Sequence, residues 1–128
     1  MATVRDYMTT DLIALSPEEP VLAAMRRMLD ARISGAPVVD AFGNLVGILT
    51  QRDCLTVVYR TSYHGEAAGT VSDYMTRKVE TVPAGMDVVE VIGRFFEAPH
   101  RRFPVVEGSQ LVGLISRRDV LRAALELA

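Results

Sequence analysis

Apolar residues recur along this chain with two alternating periods, and the alternation runs through twice. Short apolar runs at 12–15, 36–39 and 45–49 have the length and β-branched content of strands. Between the first two, Val21, Ala24, Met25 and Met28 fall at i, i+3, i+4 and i+7, the apolar face of a helix. A second helix is predicted from about 52 to 59. The same series returns as strands at 79–82, 103–106 and 111–115, a helix carrying Val88, Val91, Ile92 and Phe95, and a last helix from about 118 to 127. Asp87 and Glu90 make a plausible capping pair for the fourth-residue spacing at a helix start. In the first half Pro20 stands at the matching place, where proline suits a first turn, and Ser16 to Glu19 offers a competing cap. Asp40-Ala-Phe-Gly-Asn44 and Glu107-Gly-Ser-Gln110 carry the turn chemistry of hairpins.

The two halves share residues as well as pattern. Val4-Arg-Asp-Tyr-Met-Thr9 returns as Val71-Ser-Asp-Tyr-Met-Thr76, and Pro37-Val-Val39 as Pro104-Val-Val106, both at an offset of 67 (71 − 4). Leu45-Val-Gly47 returns as Leu111-Val-Gly113 and Arg52-Asp53 as Arg118-Asp119 at an offset of 66 (111 − 45), one residue having been lost in the turn between. The expected organisation is a first repeat at 1–60, a linker at 61–70 and a second repeat at 71–128, each reading strand-helix-strand-strand-helix. The fold class is α/β (α+β). A three-stranded sheet with both helices on one face leaves its other face bare. Two such halves are expected to cover each other about a pseudo-twofold axis, which creates two equivalent clefts.

Composition narrows the function. The 128 residues are 49% hydrophobic and 23% charged, as in ordinary globular chains. A net charge of −2 with basic residues only in pairs argues against a nucleic-acid partner. No apolar run approaches the roughly 20 residues of a membrane span, and nothing at the N-terminus resembles a signal peptide. The lone Cys54 fits a reducing compartment, so the expected location is cytoplasmic.

The carrying segments are Ile33-Ser-Gly-Ala-Pro-Val-Val-Asp40, Leu45-Val-Gly-Ile-Leu-Thr-Gln-Arg-Asp53, Arg101-Arg-Phe-Pro-Val-Val106 and Leu111-Val-Gly-Leu-Ile-Ser-Arg-Arg-Asp119. Together they resemble two CBS domains forming a Bateman module, over about Val4 to Leu125. That resemblance implies an adenosine-containing ligand, AMP, ADP or ATP foremost and S-adenosylmethionine among the alternatives. It implies a site A of Thr9, Ile13, Ala14, Ile33, Ser34, Leu114, Ser116 and Asp119, with Arg101 and Arg102 near phosphate. A weaker site B would hold Thr76, Thr81, His100, Ile48, Thr50 and Asp53, with Glu80 where site A has Ile13. The Asp of each Thr/Ser-x-x-Asp element would hold the ribose hydroxyls, since a carboxylate accepts from a cis-diol. Ile13 and Ile33 would clasp the base. Glu80 and His100 depart from the pattern, and a carboxylate desolvated against a base is costly without a partner.

The same Thr50-x-x-Asp53 and Ser116-x-x-Asp119 spacings are also plain helix caps, and capping and binding are compatible. Cys54 aligns with Val120 and reads as a packing residue; His64 and His100 lack a second metal ligand at zinc-like spacing. No catalytic acid–base pair assembles and no cofactor is required. The sequence therefore points to a non-enzymatic regulatory module that senses an adenosine nucleotide and signals to a separate, unidentified protein. The resemblance also implies a homodimer. The rival reading is an interaction regulator with vestigial clefts.

Overall fold

The computed structural model describes residues 2–127. In chain order the elements are α1 (Val4–Tyr7), α2 (Val21–Ala31), β1 (Gly35–Val39), β2 (Leu45–Thr50), α3 (Gln51–Tyr63), a 3₁₀ turn (Val71–Asp73), β3 (Val82–Pro83), α4 (Val88–Glu97), β4 (Arg102–Glu107), β5 (Gln110–Ser116) and α5 (Arg117–Leu127). No described helix is long and apolar enough to cross a membrane.

Packing divides the chain at other places than the sequence repeat does. Residues 13–79 form one compact unit, and residues up to Leu12 join those from Glu80 onward in the other. We call these the first and second units. The repeated Val-x-Asp-Tyr-Met-Thr segments are thus exchanged. Val4, which opens the first repeat, is fully buried in the second unit's core with Val82, Val91, Phe103, Val105 and Ile115. Val71 is fully buried in the first unit's core with Leu15, Val21, Val38 and Leu49. Backbone bonds fix each exchange: Val4 N–H donates to Met86 O at 2.9 Å and Val71 N–H to Glu19 O at 2.9 Å.

Each hairpin is antiparallel with a register shift one residue before its last pairs, between Val38 and Val39 and between Val105 and Val106. In the first hairpin the Asp40 carboxylate accepts from the backbone N–H groups of Phe42 and Asn44, both at 2.9 Å. The hydrogen bond from the Asn44 backbone N–H is the main reason its carboxyl is held below the usual carboxylate range. The expected leading strands shrink. In the first unit only Leu15 pairs, in parallel with Val38, and the named sheet has two strands. In the second unit Val82–Pro83 adds a third strand, parallel to β4. The expectation of a full strand at 12–15 fails because Leu15 N–H and O reach Pro37 O and Val39 N as the chain merely crosses the strand end. Both closing helices begin one residue earlier than expected, and α3 runs on to Tyr63, three residues into the presumed linker.

Pro20 takes the cap position before α2, while Ser16 to Glu19 forms the preceding turn and Glu19 accepts from Arg27 at 2.8 Å. Asp87 caps α4 by accepting from Val89 N–H at 2.7 Å, and Glu90 returns no bond. Gly93 lies within α4, where glycine costs about 0.5–1 kcal/mol relative to alanine.

Two glycines admit the exchanged segments. A Cβ on Gly47 would stand 2.8 Å from the Met75 sulfur and 2.9 Å from Thr76 O, and one on Gly113 would stand 2.7 Å from the Met8 sulfur and 2.9 Å from Thr9 O. The sulfur can swing away, but the carbonyl is bonded into the strand. Gly47→Ala is therefore expected to destabilise the protein by about 1–3 kcal/mol through overpacking. Gly85, whose added Cβ meets nothing within 4 Å, is the control. Urea melts giving the two alanine variants the same midpoint would refute the close approach.

Candidate functional site

Each unit carries one strand-to-helix junction built from a hydroxyl, a carboxylate and an exchanged threonine. In the first unit β2 ends at Thr50, which has extended backbone and caps α3. Thr50 Oγ1 accepts from Asp53 N–H at 3.2 Å, and Asp53 Oδ2 accepts from Thr50 N–H at 2.9 Å. The two donors that a helix start leaves open are thereby satisfied reciprocally. Thr76 reaches the same place because its backbone pairs with Ile48 in both directions, at 2.8 and 2.9 Å. Its hydroxyl donates toward Asp53, 3.3 Å from both carboxylate oxygens.

The second unit repeats the cap and the backbone pairing. Asp119 Oδ2 accepts from Ser116 N–H at 2.9 Å, Ser116 Oγ accepts from Asp119 N–H at 3.1 Å, and Thr9 pairs with Leu114 at 2.8 and 2.9 Å. Here the neighbour of the carboxylate is cationic. Arg122 Nη2 lies 3.6 Å from Asp119 Oδ1, donates to Tyr7 O at 3.2 Å, and its guanidinium stands 5.9 Å from the Tyr7 ring centre. Tyr7 also hydrogen-bonds Glu126, which pushes its phenol above the ordinary range. Sequence reasoning missed Arg122. Its only signal was a basic residue one turn after Asp119, a spacing common on solvated helix faces.

The capping expectation for both elements is met, and each cap engages the Oδ2 atom. Every carboxylate oxygen has two acceptor sites, so both Asp53 and Asp119 retain acceptor capacity toward solvent. Among the described residues the same box also occurs at Thr3 with Asp6 and at Thr70 with Asp73.

The remaining expected residues divide by unit. Of the site A set, Thr9, Arg101, Arg102, Leu114, Ser116 and Asp119 belong to the second unit, and Ile13, Ala14, Ile33 and Ser34 to the first. Arg102 pairs with Ser116 across the β4–β5 ladder, and Arg101 O accepts from Arg117 N–H at 3.0 Å, so the Arg pair borders the Ser116 junction. Ile13 and Ile33 pack partly buried against the first core. Ala14 O is met by Arg27 at 3.4 Å, as Thr81 O is by Arg94 at 3.2 Å. Ser34 O accepts from Gln51 N–H at 2.9 Å, beside the Thr50 junction.

Of the site B set, Ile48, Thr50, Asp53 and Thr76 share the first unit, and Thr81 and His100 lie in the second. His100 Nε2 is 3.5 Å from Glu80 Oε1, and its ring meets Phe103 edge-on at 5.6 Å. Glu80 is about half exposed and lies beside His100. No group of three or more metal-ligating side chains occurs among the described residues.

A model of the CBS domain family matches residues 4–60 and again 71–126. The chain belongs to the CBS-domain family. CBS domain-containing protein YhcV from Bacillus subtilis is 30% identical over 121 residues, 94% of this chain and 84% of that one. Inosine-5'-monophosphate dehydrogenase from Thermoplasma acidophilum is 36% identical over 112 residues, 87% of this chain, but the chain spans only 21% of that enzyme's length. Among solved structures, CBSX2 from Arabidopsis thaliana superposes with a TM-score of 0.82 over 98% of this chain and 95% of that one. CBSX2 in complex with AMP gives 0.86 over 99% and 98%, at 28% identity. The two CBS repeats read from the sequence are therefore present.

Cys54, one residue past Asp53, is half-buried, and burial first, then the Asp53 charge, pushes its thiol above the ordinary range. At neutral pH it stays a thiol, which excludes an activated nucleophile. Its alkylation by iodoacetamide is expected to be slower than that of a free cysteine, with the rate rising only above the ordinary thiol range of about 8.5. A rate-against-pH midpoint at or below that of free cysteine would contradict this environment.

Proposed function

We propose that this chain is a non-enzymatic regulatory module that binds an adenosine nucleotide and passes the binding state to a separate protein. The observation that carries this reading is the duplicated junction, in which a cap leaves a partly buried carboxylate with acceptor capacity beside the capping hydroxyl. A ribose diol donates two hydrogen bonds, and the phosphate that follows it suits the Arg101–Arg102 pair, whose guanidinium forks match its oxygens. Site A comprises Thr9, Leu114, Ser116, Asp119, Arg101 and Arg102 with Ile13, Ala14, Ile33 and Ser34. Site B comprises Thr76, Ile48, Thr50 and Asp53 with Thr81 and His100, and binds more weakly because Glu80 replaces an apolar base contact. The 28% identical CBSX2, crystallised in complex with AMP, supports the ligand class. We further propose that the chain pairs with a second copy, because α2 and α4 leave Leu29 and Phe96 73% and 86% exposed.

One observation favours a second reading, an interaction regulator with empty sites. The box at Thr50 and Ser116 also stands at Thr3 and Thr70, where no ligand is expected, so capping alone accounts for its geometry.

Calorimetric titration with AMP, ADP and ATP separates the two. Asp119→Ala removes charge-assisted hydrogen bonds worth roughly 1.5–3 kcal/mol each, so affinity is expected to fall about tenfold or more. Asp53→Ala should do less. Both variants lose a helix cap at about 1 kcal/mol of stability, measured separately by denaturant melts. Binding abolished by Asp53→Ala but intact in Asp119→Ala reverses the two sites; no heat with any nucleotide leaves the second reading.

A further inference from the structure

Residues 2–12 belong to the second unit by contact alone, because the chain runs through residues 13–79 before it returns at Glu80. Backbone bonds hold both ends of this segment. At one end Val88 N–H donates to Ala2 O at 3.2 Å, Val4 N–H to Met86 O at 2.9 Å and Arg5 N–H to Ala84 O at 3.0 Å. At the other end Thr9 and Leu114 exchange bonds of 2.8 and 2.9 Å, two residues before the Ser116 cap.

Between these ends α5 holds one residue, Tyr7, in three ways. Arg122 Nη2 donates to its carbonyl at 3.2 Å, the guanidinium stands 5.9 Å from its ring centre, and Glu126 bonds its hydroxyl. The same guanidinium faces Asp119 Oδ1 at 3.6 Å, while Asp119 Oδ2 accepts from Ser116 N–H. A guanidinium carries five donors in one rigid plane, so a single arginine serves the peptide oxygen and the carboxylate together. Movement of either partner then shifts the donors aimed at the other.

The first unit has no such link. Thr56 stands at the position equivalent to Arg122, 66 residues earlier, and its hydroxyl turns back to Arg52 O at 3.5 Å. The cation at Tyr74, the equivalent of Tyr7, is Arg60, 5.4 Å from the ring centre and one turn further along its helix. Among the described residues Arg60 forms no ion pair with Asp53. Cap and strand pairing are common to both units, so the fold does not require the arginine that joins segment and carboxylate in one of them.

We propose that Arg122 is a positioning residue that couples nucleotide at the Asp119 junction to docking of residues 2–9. This rests on the nucleotide reading above and adds the element that moves. The docked segment holds Arg122, and Arg122 orients the Oδ1 atom to which a ribose hydroxyl donates. Each carboxylate oxygen has two acceptor sites, so arginine and ribose share Oδ1 without competing. Nucleotide therefore favours the docked segment, and by linkage the docked segment favours nucleotide equally. An empty junction lets the segment open more often and uncovers the place of Val4 in the second core, a change that a separate protein can read.

Amide hydrogen exchange of the native chain, with and without AMP, ADP or ATP, tests this coupling. A ligand that binds only the docked form, at a hundred times its Kd, slows exchange through undocking by up to about 100-fold. Slowing of about tenfold or more is expected at the Val4 and Thr9 N–H groups, beyond any at Val71 and Thr76. Arg122→Gln and Tyr7→Leu are each expected to bind nucleotide about 3–10-fold more weakly and to lose most of this slowing, and the double variant to be no weaker than the worse single one. A merely structural role speeds exchange equally with and without nucleotide and leaves their ratio intact. No heat of binding with any nucleotide overturns the nucleotide reading and this coupling with it. Binding without slower exchange at Val4 and Thr9 keeps that reading and overturns the coupling. Slowing undiminished in Arg122→Gln overturns the part given to the arginine. Circular dichroism reports whether Arg122→Gln folds; if it does not, loss or persistence of the slowing in Tyr7→Leu decides in the same way.

Discussion

The architecture depends on a backbone-to-backbone approach that only glycine allows. At Gly47 and Gly113 a strand lies so close to the Met-Thr end of an exchanged segment that a single methyl would overlap a carbonyl held by strand pairing. That approach sets Thr76 opposite Ile48 and Thr9 opposite Leu114, two residues before the hydroxyls that cap α3 and α5. In the first unit the same contact thus brings a third polar side chain, that of Thr76, to the junction. Burial of Val71 and Val4 anchors the other end of each segment, so the threonines are held from both sides.

Much of this was legible in the sequence, and the part that was not has a specific cause. The duplication, the hairpins and the faces of α2 and α4 follow from apolar spacing, because Val21, Ala24 and Met28 are buried, as are Val88 and Val91. Apolar spacing did not show the exchange of segments; only the resemblance set Thr9 with Leu114 and Thr76 with Ile48. Val4-Arg-Asp-Tyr-Met-Thr9 and Val71-Ser-Asp-Tyr-Met-Thr76 are so alike that either half could receive either one. A pattern that fits both cores carries no information about which core it enters. The overlong strand at 12–15 has a different origin. Apolar periodicity reports burial, and Ile13 and Leu15 are covered by side chains without a continuous ladder.

The junctions show why a short motif divides its meaning. A Thr/Ser-x-x-Asp box satisfies helix donors wherever it occurs, and among the described residues it does so four times. The pairs at Thr3 and Thr70 start short turns on exposed surface. Those at Thr50 and Ser116 follow a strand that pairs with the backbone of an exchanged threonine, and have partly buried carboxylates. Spacing alone cannot separate the two kinds, since the cap bonds are the same. Strand context separates them, because only a helix that follows a strand end can be approached by a segment paired to that strand.

Duplication preserved what packing requires and released what faces solvent. Val38 and Val105, Leu49 and Ile115, and Val4 and Val71 are equivalent and fully buried. Positions outside the fully buried set diverged in charge. Ile13 became Glu80 in the second repeat, and Ser34-Gly35 became Arg101-Arg102. Arg122 stands at the position equivalent to Thr56, so Asp119 has a guanidinium near Oδ1 where Asp53 has the Thr76 hydroxyl. With the Arg122 side chain 57% exposed and 3.6 Å away, such a pair contributes little to stability. It does alter the local potential, since a cation beside an acceptor favours an anion a few ångströms further out. The two junctions share one hydrogen-bond geometry and differ in field, with the arginines gathered around Ser116 and Asp119. A phosphate-bearing ligand distinguishes junctions of that kind even when a neutral ribose would not.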